Sequence, residues 1–279
     1  MAIVTFWGNG KEETGQTYSI VAVATSMAIE HNYKILLVPT SFNDNTLEGC
    51  YWEIDKIEAK LAGITQNKTD VSTGIEGLAK AVLSNKTSPE IITNYTKIVF
   101  KDRLEVLPEI KTKEYEEYQK LKPIYTDILQ LANKYYDLIL VDLTKGINDE
   151  FNREILNISD LVVVNLTQRM KTINDYIQLR QENKAFEATN VMTIFGKYDR
   201  FSKYNAKNAA RYIGLKKELC TVPYNTLFFE ACNEGKAADY FIRFRKIDDD
   251  TDRNAMFTSE VKKTVERIIY KLQELQMKM

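Results

Sequence analysis

The residues with the most chemistry to offer follow the first apolar run: Gly10-Lys11-Glu12-Glu13-Thr14-Gly15-Gln16-Thr17-Tyr18. Their frame is that of a phosphate-binding loop, G-x-x-x-x-G-K-[ST], with Gln16 where the lysine belongs. Such a loop offers phosphate its backbone N–H groups and the positive end of the following helix. Thr17 has the hydroxyl that holds Mg²⁺ in loops of this kind. The local charge is unusual, one cation (Lys11) against two anions (Glu12 and Glu13). A unit charge pair about 4 Å apart is worth on the order of 4 kcal/mol at an effective dielectric of about 20, so a glutamate facing the phosphates opposes binding. Gln16 can donate a neutral hydrogen bond, but it cannot neutralise charge that develops on a transferred phosphoryl group.

A loop of this kind needs a buried strand before it and a helix after it. Near-continuous apolar runs recur at Ile3–Trp7, Ile35–Val38, Leu104–Leu107, Leu138–Asp142, Leu161–Asn165, Val191–Phe195 and Leu219–Val222. Such runs suit strands buried on both faces of a parallel sheet. Helical patterns lie between them at Thr17–Ile29, at Glu114–Tyr136 with a break at Pro123, and at Ser259–Met279. Ser88-Pro89-Glu90 reads as a helix cap followed by proline at the first helical position. The alternation predicts an α/β fold, a doubly wound, mostly parallel sheet with helices on both faces. The expected organisation is a single domain over 1–279, with a mostly helical elaboration at about 49–113.

Composition narrows the classes. The chain has 279 residues, 38 Lys+Arg against 39 Asp+Glu, and 44% hydrophobic residues, ordinary values for a globular protein with a full core. Its three cysteines form no CxxC pair and there is a single histidine, His31, so a zinc site or a disulfide framework is not expected. No apolar run approaches the roughly 18–20 residues of a membrane span. The start, MAIVTFWGNG, lacks a basic region and a long apolar stretch, so no secretory signal is expected. The balanced charge gives no global signal for nucleic acid.

Together with the later motifs, the loop resembles the deviant-Walker ATPases of the ParA/MinD family, whose loop reads K-G-G-x-G-K-[ST]. Lys11 matches the family's signature lysine, Gly15 its last glycine and Thr17 its hydroxyl residue, whereas Glu12 and Glu13 replace the middle glycines and Gln16 replaces the second lysine. The glutamates lack the glycines' easy access to φ > 0 and their close backbone approach. Pro39 and Ser41 stand where the family carries a D-x-D pair after its second strand. Tyr136-Asp137-Leu138-Ile139-Leu140-Val141-Asp142 is similar to the family's Walker B strand. Asp142 would there make a water-mediated Mg²⁺ contact beside Thr17; an ordinary strand-ending acid is the competing reading. Ser159–Asn165 resembles the family's next strand. Val222-Pro223-Tyr224-Asn225 with Glu230-Ala231 and Gly235-Lys236 resembles the adenine-wrapping segment, and Lys197 is the basic residue kept after the preceding strand.

Within the family, Gly74-Ile75-Glu76-Gly77-Leu78 and Arg103-Leu104-Glu105-Val106-Leu107-Pro108 look most like the TadZ/CpaE pilus-assembly positioning members. The resemblance implies ATP or ADP with Mg²⁺ at Gly10–Tyr18 and Pro223, Tyr224 and Asn225, with the metal at Thr17 and Asp142. It names no catalytic residue, because the lysine and the switch acids are altered. The implied function is positioning or scaffolding of a pilus or secretion machine, with nucleotide binding weak or structural and little or no ATP hydrolysis. The implied protein is a cytoplasmic homodimer with partners in that machine, recruited by them to a pole or to the inner face of the membrane. The C-terminal helix is expected to pack onto the sheet rather than touch a membrane. The alternative is an active partition ATPase that binds DNA nonspecifically through basic surface such as Arg200, Lys203, Lys207, Arg211, Lys216 and Lys217.

Overall fold

Side chains alternate across a strand, so a strand buried on both faces feeds two cores at once. The first strand, β1 (Ala2–Trp7), is buried along its whole length. Ile3 and Trp7 join the core on one side of the sheet, and Val4 and Phe6 the core on the other. This computed structural model describes residues 1–8, 13–42, 44–53, 74–84, 88–110, 114–144, 146, 149–215, 219–247, 249 and 251–277.

The remaining strands are β2 (Ile35–Pro39), β3 (Lys97–Phe100), β4 (Leu104–Val106), β5 (Leu138–Asp142), β6 (Leu161–Leu166), β7 (Val191–Tyr198) and β8 (Cys220–Pro223). They form one eight-stranded sheet in the order β3-β4-β2-β5-β1-β6-β7-β8. All pairings are parallel except β3 with β4. All seven expected strands are present. Sequence reading missed β3, and with it the fact that the 49–113 stretch contributes two strands to the main sheet. As an edge strand with a register shift between Ile98 and Phe100, β3 is only half buried and shows no full apolar run.

Helix α1 (Gln16–Glu30) follows β1 and is buried over most of its length. After β2 come α2 (Thr46–Gly49), α3 (Gly74–Leu83) and a 3₁₀ turn at Pro89–Asn94, with Pro89 at its start and no side-chain cap from Ser88. Helices α4 (Tyr115–Leu121) and α5 (Ile124–Ala132) are separated at Pro123 as expected. Next are α6 (Glu150–Asn157), α7 (Met170–Glu182), α8 (Ala206–Ile213), α9 (Thr226–Asn233), α10 (Ala237–Phe244) and α11 (Arg253–Gln276).

Helices α3 and α5–α8 cover one face of the sheet, and α1 with α9–α11 covers the other. Helix α11 begins six residues before the expected Ser259 start, because Asp252 caps it by accepting from Asn254 N and Ala255 N at 2.8 Å. Val261, Val265, Ile268 and Leu272 are buried as the helix packs on α1 and β8. Among the described residues no helix is long and apolar enough to cross a membrane.

Candidate functional site

The C-terminal ends of β1, β5, β6 and β7 converge on the start of α1, the place where parallel α/β sheets hold ligands. Gly15 begins this helix with φ +71°, a left-handed conformation that glycine adopts without strain. Gln16, the residue in the lysine position, turns its amide inward. The amide nitrogen lies 2.6 Å from Asp142 Oδ1, 2.8 Å from Leu143 O and 3.0 Å from Phe6 O. A primary amide has two N–H groups, so three acceptors at the ends of β1 and β5 occupy both of them. Thr17 donates its hydroxyl to the other carboxylate oxygen, Asp142 Oδ2, at 2.7 Å. One aspartate therefore ties together the first two residues of α1.

The described part of the loop, Glu13–Gly15, is clamped from the neighbouring strands. Asn165, at the end of β6, donates to Thr14 O at 3.4 Å and to Ser19 Oγ at 3.3 Å. Gly196 in β7 permits this approach: a Cβ there would stand 2.2 Å from Thr14 O. Lys197, itself at φ +50°, lays its stem over Gly15 and brings its ammonium to 3.3 Å from Glu13 Oε2. Glu13 is 85% exposed, so this pair contributes little stability; its consequence is a cation delivered to the loop by another strand. Gly10, Lys11 and Glu12 lie outside the described residues.

Pro223, the last residue of β8, and the following Tyr224 and Asn225 meet α1 at a cleft shared with Tyr18, Lys197 and Phe229. The ring centroids of Tyr18 and Phe229 are 5.3 Å apart and those of Tyr224 and Phe229 6.4 Å. The cleft between these side chains holds a cavity of about 30 Å³. Asn225 caps α9 by accepting from Phe228 N at 2.8 Å, and its Nδ2 meets Asn254 Oδ1 at 3.1 Å. Burial pushes the Tyr18 phenol up to about 12.

Pro39 and Ser41 carry no acid, yet a carboxylate stands beside them. Glu109, beyond the end of β4, is 3% exposed and accepts from Ser41 Oγ and from Asn45 N, each at 3.0 Å. Burial raises this carboxyl to about 7; the two hydrogen bonds oppose the shift, while Asp44 and Asp142 add to it. Thr40 extends the link by donating to Asp142 O at 3.1 Å and accepting from Thr144 N at 2.8 Å.

Sequence reasoning thus brought Thr14–Tyr18, Asp142 and Pro223–Asn225 to one edge of the sheet. It missed Asn165 and Glu109. Asn165 was read as the end of an apolar run that resembles the family's next strand, without a role of its own, and Glu109 belongs to no motif; an acid just past a strand end was its only signal. Among the described residues no group of three or more His, Cys, Asp or Glu side chains is placed to hold a metal.

No family model matches the sequence, and no curated protein matches it. Solved structures do. A ParA family ATPase from Chlorobium tepidum superposes with a TM-score of 0.69 at 16% identity, over 97% of this chain and 98% of that one. The fold is that of the ParA and MinD ATPases. The septum site-determining protein MinD of Pyrococcus horikoshii, solved with Mg-ADP, matches with a TM-score of 0.65 at 14% identity over 96% and 97% of the two chains. MinD of Aquifex aeolicus, in a complex with MinC, matches with a TM-score of 0.62 at 15% identity over 96% of each chain. The site described above lies on this ParA/MinD scaffold.

Proposed function

We propose that the protein is a positioning or scaffolding member of the ParA/MinD fold group, with nucleotide held weakly or structurally and little or no ATP hydrolysis. The observation that carries this reading is the inward turn of Gln16. Both of its side-chain donors are engaged by Phe6, Asp142 and Leu143, so the side chain in the lysine position gives no charge and no free N–H to a phosphate. The metal end of the site is better fitted. Thr17 and Asp142 are a hydroxyl and a carboxylate within hydrogen-bond distance of each other, and would hold Mg²⁺ with the phosphates of ATP or ADP. A bound nucleotide would supply phosphate oxygens that complete the ion's oxygen shell.

Gly10–Glu12 and Tyr18 would complete the phosphate side, and Pro223, Tyr224 and Asn225 the base side. The cargo in this reading is a pilus or secretion assembly. Its support is the TadZ/CpaE-like Gly74–Leu78 segment, which forms the start of α3, and the Arg103–Pro108 segment, which contains β4 and runs on toward Glu109. A homodimer and protein partners fit the same reading, as does a cytoplasmic protein brought to a pole or membrane by them. Calorimetry with ATP and ADP plus Mg²⁺, followed by steady-state hydrolysis, tests it. Weak or no heat and no turnover is the expected result. A hydrolysis rate that disappears in Thr17→Ala would overturn it in favour of the working partition ATPase.

A further inference from the structure

At the far end of α1 from the phosphate loop, the C-terminal turns of α1 and α10 and the first turns of α11 enclose a cavity of about 310 Å³. Three cations reach its rim, Arg245, Lys246 and Lys262, against one acid, Glu30. Glu30 Oε2 lies 3.4 Å from Lys262 Nζ, so this acid is already shared. Among the described residues neither Arg245 nor Lys246 has a carboxylate partner. Of the described acids that follow in the chain, Asp249 accepts from Thr251 and Asp252 caps α11; Asp248 and Asp250 lie outside the described residues. The floor is Phe241, 2% exposed, and Ser26, 4% exposed. Ser26 lines the cavity, and among the described residues its hydroxyl has no hydrogen-bond partner.

We propose that this cavity binds an organic phosphate. Its dianionic head would lie among Arg245, Lys246 and Lys262, and its body against Phe241 with a polar atom on the Ser26 hydroxyl. Among the described lining residues, three cations against one acid leave two positive charges. That matches the roughly −1.5 to −2 charge of a phosphate monoester at neutral pH better than it matches a single carboxylate. The Arg245 guanidinium adds a planar fork suited to two phosphate oxygens. The volume sits at the lower end of the range for small-molecule sites, about 300–1,000 Å³, and exceeds what bare phosphate would fill. Helix α1 is 15 residues long, about 22 Å at 1.5 Å per residue, so this site and the phosphate loop are separate, and the proposal stands whether or not the loop takes nucleotide.

Glycerol 3-phosphate, titrated by calorimetry into the full chain at low salt, is the probe, with amide shifts at Ser26 as the local readout. Saturable binding is expected, with about tenfold weaker affinity in the double variant Arg245→Gln/Lys246→Gln. Ser26→Ala should weaken binding severalfold without lowering the thermal midpoint, because the hydroxyl it removes has no partner among the described residues. A serine with a purely structural role would instead lower the midpoint and leave binding alone. Vesicles of phosphatidylcholine with phosphatidic acid distinguish the source of the phosphate: binding to them alone, with the same dependence on Arg245, Lys246 and Ser26, assigns it to a lipid headgroup. Unchanged affinity in the double variant, or no response to either probe, would overturn the proposal.

Discussion

Gln16 Nε2 and Asp142 Oδ1 stand 2.6 Å apart, joining the first residue of α1 to the last residue of β5. In this chain Gln16 is a structural link between helix and sheet.

Removing that link should cost stability. Gln16→Ala removes the donor shared by Phe6 O, Leu143 O and Asp142 Oδ1; Phe6 O still accepts from Leu143 N, and a buried acceptor such as Leu143 O that loses its donor costs about 1–3 kcal/mol. Urea denaturation should show a loss in that range. A loss below about half a kcal/mol would mean that water replaces the amide without penalty.

Restoring the cation tests the other side of the same residue. Gln16→Lys should raise affinity for Mg-ATP about tenfold or more over the parent chain, through a charge-assisted contact that glutamine cannot make. Calorimetry reads this directly. If affinity does not change, the glutamates or the narrow cleft beside Tyr18 and Tyr224 set the limit instead.

Glu109 predicts a pH dependence. Its carboxyl titrates near 7 in the folded protein against the ordinary 4.5. Between those values the folded state holds a proton that the unfolded chain has lost. This contribution to stability is therefore full below about pH 4.5, declines as pH rises, and is gone above about 7. At about 1.4 kcal/mol per pH unit the loss is up to about 3 kcal/mol. Glu109→Gln, which can still accept from Asn45 N and face Ser41, should remove the decline. Urea midpoints of both proteins across this window check it; a constant difference between them would show that Glu109 does not titrate there.

Close packing at β7 predicts a glycine requirement. In Gly196→Ala the new methyl would fall 2.2 Å from Thr14 O and 2.7 Å from Asn165 Nδ2. Overpacking of this kind costs about 1–3 kcal/mol. Faster hydrogen exchange around Thr14 and Gly15 should accompany the lower stability, because the loop has to move away from the strand. Unchanged exchange there would mean that β7 shifts instead.

Seven of the eight strands, the break at Pro123, the buried Ala/Val-rich α1 and the strand-ending Asp142 were all legible in the sequence. Each is a local pattern, an apolar run or a helical spacing that burial imposes on neighbouring residues. The edge strand β3 was not, because a half-exposed strand carries a weak form of that pattern. Tertiary structure alone decided what the altered residues do. Glu109 faces Ser41 across 68 positions of chain because β4 lies beside β2, an adjacency that neither segment encodes by itself. Lys197 reaches Glu13 across 184 positions for the same reason, through β1, β6 and β7 lying side by side. A glutamine can donate toward phosphate or toward the sheet. Only the convergence of Phe6 O, Asp142 and Leu143 O on one buried point selects the sheet, because acceptors removed from water require a donor.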